Sequence, residues 1–240
     1  MRNVVVTDIE RLPLSVIDAF AEFGSATVHE AIGRVGYLGA SIRPIQQGVS
    51  VVGSVVTVLT APGDNLMVHA AIEQSQPGDI IVVATLAESP YGHIGDLMAT
   101  QMHARGVRGY VTNAGVRDTQ ELREMRFAVW SRFISAEGTV KDTAGSVNVP
   151  IVIGSTVIHP GDIAIADDDG VTIVPRARAH EALELSHRRV LKESASRARY
   201  REGAISMDVN DLRPVLDGLG VSFVSQKEHE SQKEHEDDRR

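Results

Sequence analysis

Asp96, Arg117 and Asp118 are the residues whose types and spacing could do chemistry together. Asp96 follows the glycine-rich stretch Tyr91-Gly92-His93-Ile94-Gly95 and opens a run that reads as helical, Asp96 to Arg105. At such a start the first N–H groups have no intrahelical partner and the helix dipole is positive, so the amides of Gly95, Asp96, Leu97 and Met98 can receive an anion. Arg117 and Asp118 arrive side by side after the apolar run Val107 to Thr112 and the turn Asn113-Ala114-Gly115-Val116. A guanidinium is a planar fork suited to a carboxylate, and an aspartate is a hard oxygen ligand suited to Mg²⁺ or Mn²⁺. The three could hold an α-keto acid, its carboxylate on the amides and Arg117, its oxo group between Arg117 and the cation. Spacing alone favours a plainer reading, with Asp96 as an ordinary first-turn acid and Arg117–Asp118 as a surface pair.

Elements of two kinds must position these groups. Short Val/Ile-rich runs predict strands at Val49 to Leu59, Asp79 to Ala84, Val107 to Thr112, Ile151 to Ile153, Asp162 to Ala166 and Gly170 to Val174. Helical patterns fall at Leu14 to Phe20, Thr27 to Gly33, Asn65 to Gln74, Asp96 to Arg105 and Thr119 to Met125, with Thr27 and Glu30 at capping-box spacing. Three Pro-Gly-Asp turns begin at Pro62, Pro77 and Pro160, where proline presets φ and glycine supplies the positive φ that follows. Asp167-Asp168-Asp169-Gly170 reads as a hairpin loop rather than a calcium loop, whose ligands are more widely spaced. Residues 176 to 202 lack internal Gly and Pro and carry a loose apolar stripe, which predicts a long helix of the kind that packs on a partner subunit. Strands mixed with helices in one unit give an α/β fold. The expected organisation is one domain over residues 1–205, an extension over 206–224 and a disordered polar tail over 225–240, where Ser-Gln-Lys-Glu-His-Glu occurs twice in tandem.

Composition narrows the function. The 24 basic and 32 acidic residues leave a net charge of −8, which gives no electrostatic advantage on nucleic acid. No apolar run approaches the roughly 18 residues of a membrane span, and the first residues lack a signal-peptide pattern, so a cytoplasmic protein is expected. The chain has no cysteine, which excludes disulfides, thiolate metal sites and cysteine nucleophiles. No Gly-x-Ser-x-Gly elbow, serine triad or nucleotide-binding glycine fingerprint is present. Among single residues, His93 suits a hydrogen-bonding role better than acid–base catalysis, His29 and Glu30 suit capping and packing, and His69 reads as a satisfied core or interface histidine. Lys141 could form a Schiff base, but the chain lacks the eight βα repeats of a barrel that usually carries one.

Five motifs in order carry a resemblance. Thr27-Val28-His29-Glu30-Ala31, Pro62-Gly63-Asp64-Asn65-Leu66-Met67, Ala114-Gly115-Val116-Arg117-Asp118, Gly145-Ser146-Val147-Asn148-Val149-Pro150 and Ala166-Asp167-Asp168-Asp169-Gly170-Val171 accompany Asp96, twenty intervening residues and Arg117-Asp118. Between about residues 14 and 205 the chain resembles the metal-dependent pyruvate aldolases that act on 4-hydroxy-4-methyl-2-oxoglutarate and 4-carboxy-4-hydroxy-2-oxoadipate, within the regulator-of-ribonuclease-activity-A-like family. The resemblance implies a swivelling phosphohistidine-domain-like β/β/α core with N-terminal helices and a long C-terminal helix. It implies a homotrimer or homohexamer with sites between subunits, a small oxo-acid substrate, oxaloacetate decarboxylation as a side activity, and a setting in aromatic-compound degradation. It makes Asp118 the direct ligand of a divalent Mg²⁺ or Mn²⁺, Asp96 a holder of its water, Arg117 the group that contacts pyruvate and its enolate, and the amides of Gly95 to Met98 the carboxylate cradle. A glutamate from a neighbouring subunit's C-terminal helix is also implied. Glu193 fits by position, with Glu181, Glu184 and Glu202 as alternatives. Asn113 stands where many members have Asp, and the loop from Glu88 to His93 is peculiar to this chain. Arg34, Arg43, Arg123 and Lys141 are all candidates to read a further substrate carboxylate. The alternative implied by the same family is a non-catalytic regulator of a ribonuclease.

Overall fold

The computed structural model describes residues 3–230. The chain divides into two compact units, Met1–Arg189 and Val190–Arg240. The first begins with two short helices, α1 (Leu14–Asp18) and α2 (Ser25–Ala31), and continues through β1 (Arg43–Pro44), β2 (Val51–Thr60), α3 (Leu66–Gln74), β3 (Asp79–Thr85), α4 (Asp96–Ala104), β4 (Gly109–Thr112), β5 (Gly115–Val116), α5 (Thr119–Glu124), β6 (Ala128–Ser131) and β7 (Phe133–Ile134). The short strands β8 (Ser146–Val147), β9 (Ile151–Ile153) and β10 (Thr156–Ile158) follow, then the hairpin β11 (Ile163–Asp167) and β12 (Gly170–Val174), and then α6 (Ala179–Arg201).

The main sheet runs β1-β6-β4-β3-β2-β11-β12, with β8 added to β2. Its centre is parallel: β2 pairs with β3, β3 with β4 and β4 with β6. The crossovers carry α3, α4 and α5, which bring Val68, Met102 and Leu122 to one face, while Ile151 and Ile153 of β9 and Ile158 of β10 cover the other, so the central strands are buried on both faces. Every residue of β3 is buried. Its side chains alternate, Ile81 and Val83 toward the cluster that includes Val68, Ile72, Met98 and Met102, and Ile80 and Val82 toward the cluster with Trp130, Ile151 and Ile158. This explains an unbroken Asp79-Ile-Ile-Val-Val-Ala run, and each such aliphatic contributes roughly 1.5–3 kcal/mol. A third cluster joins Phe20, Phe23 and Val28 to Val52, Ile163 and the start of α6 at Ala179 and Ala182.

Two expectations change. Thr27 and Glu30 do not form a capping box, because α2 starts earlier, behind Gly24. The Asp167 carboxylate, brought from the β11–β12 turn, takes the Ser25 N–H at 2.7 Å and the Ser25 hydroxyl at 2.6 Å. Glu30 instead pairs with Arg34 and Arg189. The first copy of the tail repeat is helical over residues 226–230, because the Ser225 hydroxyl and the Glu228 carboxylate exchange bonds with each other's backbone N–H in a capping box. The second copy, from Ser231, lies outside the described residues. Within the second unit, α7 (Ser206–Val209) and α8 (Arg213–Gly218) are tied by the Arg213–Asp208 ion pair at 2.6 Å.

Candidate active site

Three loops leave the carboxyl ends of adjacent parallel strands: residues 61–65 after β2, 86–95 after β3 and 113–118 after β4. This is where open parallel sheets place their ligand sites. The loops enclose a cavity of about 260 Å³, lined by Asn65, His69, Gly92, His93, Ile94, Gly95, Asp96, Leu97, Met98, Arg117, Asp118, Gly138, Thr139 and Lys141. Asp96, Arg117, Asp118 and the Gly95 to Met98 segment expected from the sequence therefore share one cavity. Glu193 lies on α6 in the second unit.

The Asp-x20-Arg-Asp motif closes on itself by direct bonds. The Arg117 N–H donates to Ile94 O at 3.0 Å, and the Asp96 N–H donates to Asp118 Oδ2 at 3.3 Å. Arg117 Nε sits 3.5 Å from the same oxygen. Any Cβ on Gly95 would collide with the Asp118 carboxylate and crowd Arg117. Gly95 is thus the position at which the backbone of one loop makes room for the acid of the other. Asp118 holds a left-handed conformation, φ 52° and ψ 42°, ahead of α5. Aspartate tolerates that region at of order 1 kcal/mol, and such strain collects at functional sites.

The opposite wall comes from α3 and the loop at 138–141. Asn65 Nδ2 donates to His93 O at 2.8 Å. Burial pushes the Asp64 carboxyl up, but the N–H groups of Leu66, Asp142 and Thr143 more than offset this and hold it below its ordinary pKa. Asp64 thereby pins the Lys141 loop to the start of α3. His69 is not a satisfied core residue, as its Nε2 is buried without a partner at the cavity wall. Burial, and then the nearby Lys141 charge, lower its pKa. His93 is fully buried, which brings its pKa down to about 4 against the pull of Asp64. Its Nε2 lies 2.8 Å from Ser89 Oγ.

Of the four cations proposed for a further carboxylate, Lys141 alone lines this cavity. Arg34 pairs with Glu30, Arg43 donates to the carbonyls of Asp168 and Asp169, and Arg123 donates to Ile45 O. Asn113 Oδ1 accepts from the Thr85 N–H at 2.9 Å and the Thr85 hydroxyl at 3.1 Å, a bracing role that an amide fills as well as a carboxylate. Sequence reasoning left Asn65 and Thr139 unmarked. The Pro62-Gly63-Asp64-Asn65 motif was the available signal for the first.

Two carboxylates, Asp96 and Asp118, face the cavity, and among the described residues no group of three or more His, Asp and Glu is placed to hold an ion. Such a set suits a small hard cation that keeps most of its water, and not a zinc-type site needing three protein ligands. The gap kept open by Gly95 leaves the Asp118 carboxylate room at the cavity wall.

A family model described as RraA-like, Aldolase/RraA, matches residues 15–173. A Halalkalibacterium halodurans protein named "Putative 4-hydroxy-4-methyl-2-oxoglutarate aldolase" is 29% identical over 206 residues, covering 86% of this chain and 96% of that one. A Burkholderia multivorans protein of the same name is 32% identical over 157 residues, 64% of this chain and 95% of its own. The crystal structure of Streptomyces coelicolor RraAS2, described as an unusual member of the RNase ES inhibitor RraA protein family, superposes with a TM-score of 0.71 at 26% identity, covering 79% of this chain and all of that one. With its α/β core and with Asp96, Arg117 and Asp118 gathered at the ends of the parallel strands, the chain belongs to the RraA-like family.

Proposed function

We propose that the protein is a divalent-metal-dependent lyase that cleaves 4-hydroxy-2-oxo acids, 4-hydroxy-4-methyl-2-oxoglutarate or 4-carboxy-4-hydroxy-2-oxoadipate, to pyruvate and a second oxo acid. The observation that carries the proposal is the junction of Asp96, Arg117 and Asp118, where residues distant in sequence share one carboxylate oxygen at the wall of a cavity. The names of the two relatives support the choice of reaction.

In this reading the N–H groups of Gly95, Leu97 and Met98 receive the substrate's C1 carboxylate, since a helix start presents unpaired donors and a positive dipole end, while the Asp96 N–H stays on Asp118. Arg117 donates to the 2-oxo oxygen and stabilises the charge that grows there as the C3–C4 bond breaks, an interaction stronger in the transition state than in the ground state. Asp118 and Asp96 would hold Mg²⁺ or Mn²⁺, which when bound polarises the 2-oxo group as a Lewis acid. Asp96 orients the water that takes the C4 hydroxyl proton. The electrons of the C3–C4 bond pass to the enolate of pyruvate, which is then protonated at C3. Lys141, on the facing wall, reads a carboxylate farther along the substrate. The same enolate would form if oxaloacetate lost CO₂, so decarboxylation is expected as a side activity. Glu193 of a neighbouring copy would help to hold the cation, in a homotrimer or homohexamer.

Pyruvate release, coupled to lactate dehydrogenase, tests the proposal with each aldol substrate and with oxaloacetate. Metal-dependent pyruvate from the aldol substrates is the expected result. Turnover of oxaloacetate alone would make the protein a decarboxylase. No pyruvate from any of them would favour the alternative raised by the RraAS2 likeness, a ribonuclease regulator without catalysis.

A further inference from the structure

The floor of the cavity holds a residue that the mechanism above leaves unused. His93 is fully buried and lines the cavity, yet its Nδ1 has no hydrogen-bond partner. Buried polar atoms are nearly always paired, and the exceptions concentrate where a ligand completes them.

Bookkeeping at Ser89 decides which ring nitrogen carries the proton. Ser89 is itself fully buried. Its Oγ accepts the Gly63 N–H at 3.0 Å and lies 2.8 Å from His93 Nε2. If Nε2 donated, the oxygen would accept twice and the hydroxyl hydrogen would have no acceptor. If the hydroxyl donates to Nε2, the serine is satisfied, and the imidazole proton must sit on Nδ1. Among the described residues nothing accepts a hydrogen bond from Nδ1–H. The Asp64 carboxylate, whose charge acts on the ring, already accepts the Leu66, Asp142 and Thr143 N–H groups. The ring cannot turn to find a partner, because the Ser89 bond fixes its Nε2. The backbone on either side is pinned as well, with His93 N–H donating to Gly115 O at 2.9 Å and His93 O accepting from Asn65.

We propose that His93 is a substrate-binding residue, a neutral imidazole whose Nδ1–H donates a hydrogen bond to an oxygen of the oxo acid in the cavity. The inference rests on the oxo-acid reading of this site. Ser89 is then a positioning residue, setting both the tautomer and the ring plane. The depressed pKa agrees, because a ring that stays neutral donates without bringing a third full positive charge beside Arg117 and Lys141.

Two amide replacements separate the two nitrogens. His93→Asn places an N–H near the Nδ1 position and gives up the Ser89 bond. His93→Gln reaches Ser89 and leaves the Nδ1 position empty. Calorimetric binding of oxalate, a planar mimic of the pyruvate enolate, in the presence of Mg²⁺ provides a readout that needs no turnover. The expected result is a roughly ten- to hundredfold loss of oxalate affinity in His93→Gln, while His93→Asn stays within about threefold of the unaltered chain. Ser89→Ala, which keeps Nδ1 but releases the ring, is expected to lose affinity by less than His93→Gln and guards against a His93→Asn that fails to fold. Unchanged affinity in His93→Gln overturns the proposal, as does a loss of equal size in His93→Gln and Ser89→Ala. A chain that binds oxalate but releases no pyruvate refutes the aldol reaction and leaves this comparison standing.

Discussion

Two of the hollows in the first unit, the candidate site and a larger one, differ in how their polar groups are used. The larger, about 520 Å³, is lined by His29, Arg34, Tyr37, Thr156 and neighbouring residues. Its polar groups are already spent on the chain itself: Arg34 on Glu30, His29 Nδ1 on Val35 O and the Thr156 hydroxyl on Tyr37 O. The smaller, about 260 Å³, is lined by three residues with a buried, unpartnered polar atom, Asn65 Oδ1, His69 Nε2 and His93 Nδ1. No atom of that kind comes from the lining of the larger hollow. Volume alone therefore points the wrong way. A site that is to bind something keeps hydrogen-bonding capacity unspent, and accepts a stability cost for it.

The contrast can be broken most forcefully at Arg117. Arg117→Ala removes the only guanidinium in the smaller hollow, and kcat should fall by roughly a hundred- to a thousandfold with the melting temperature little changed. A loss below tenfold in steady-state kinetics would contradict its assigned role.

The buried histidine gives the next largest effect, on stability. The His93 pKa falls from 6.5 to about 4 on folding, so between those values the unfolded chain binds more protons and stability must rise with pH. The full benefit is present above pH 6.5 and disappears as pH drops toward 4, a change on the order of 3 kcal/mol. The Asp64 carboxyl, held low, adds a loss of the same sign at still lower pH. Urea unfolding at pH 7, 5.5 and 4 measures this, and His93→Gln should flatten the curve. An equally steep curve in that variant would assign the acid sensitivity elsewhere.

Lys141 and Arg34 sharpen the comparison at its mildest end. Lys141→Ala should raise KM for a dicarboxylate substrate about tenfold, whereas Arg34→Ala, in the larger hollow, should leave it within about twofold. A reversed order would make the larger hollow the binding site.

What the sequence revealed and what it hid follow from the range of the interactions. The runs at Asp79 and Val107 were legible as strands because β3 and β4 are buried on both faces, and continuous apolar stretches have few other uses. The two-residue strands β5 and β7 were not, since their pairing, Gly115 with Phe133 and Val116 with Ile134, depends on residues that only the fold brings together. The cap on α2 was misread for the same reason. Thr27 and Glu30 had the right local spacing, but a carboxylate 142 positions away from Ser25 won. The motif carrying Asp96, Arg117 and Asp118 could be read from spacing and resemblance. Lys141 could not be separated from Arg34, Arg43 and Arg123, because no local pattern tells a cation in a cavity from one spent on a carbonyl. His93 was read as a hydrogen-bonding partner, and its bond to Ser89 agrees. Its burial, which keeps the ring neutral, has no signature in the sequence.

In the proposed reaction Asp118 is the residue on which metal-dependent cleavage rests. The most direct test is pyruvate release from 4-hydroxy-4-methyl-2-oxoglutarate by the unaltered chain and by Asp118→Ala, each with Mg²⁺ and with EDTA. The expected result is turnover that EDTA abolishes in the unaltered chain and no turnover in Asp118→Ala under either condition. Metal-dependent pyruvate release by a folded Asp118→Ala at an undiminished rate would contradict it.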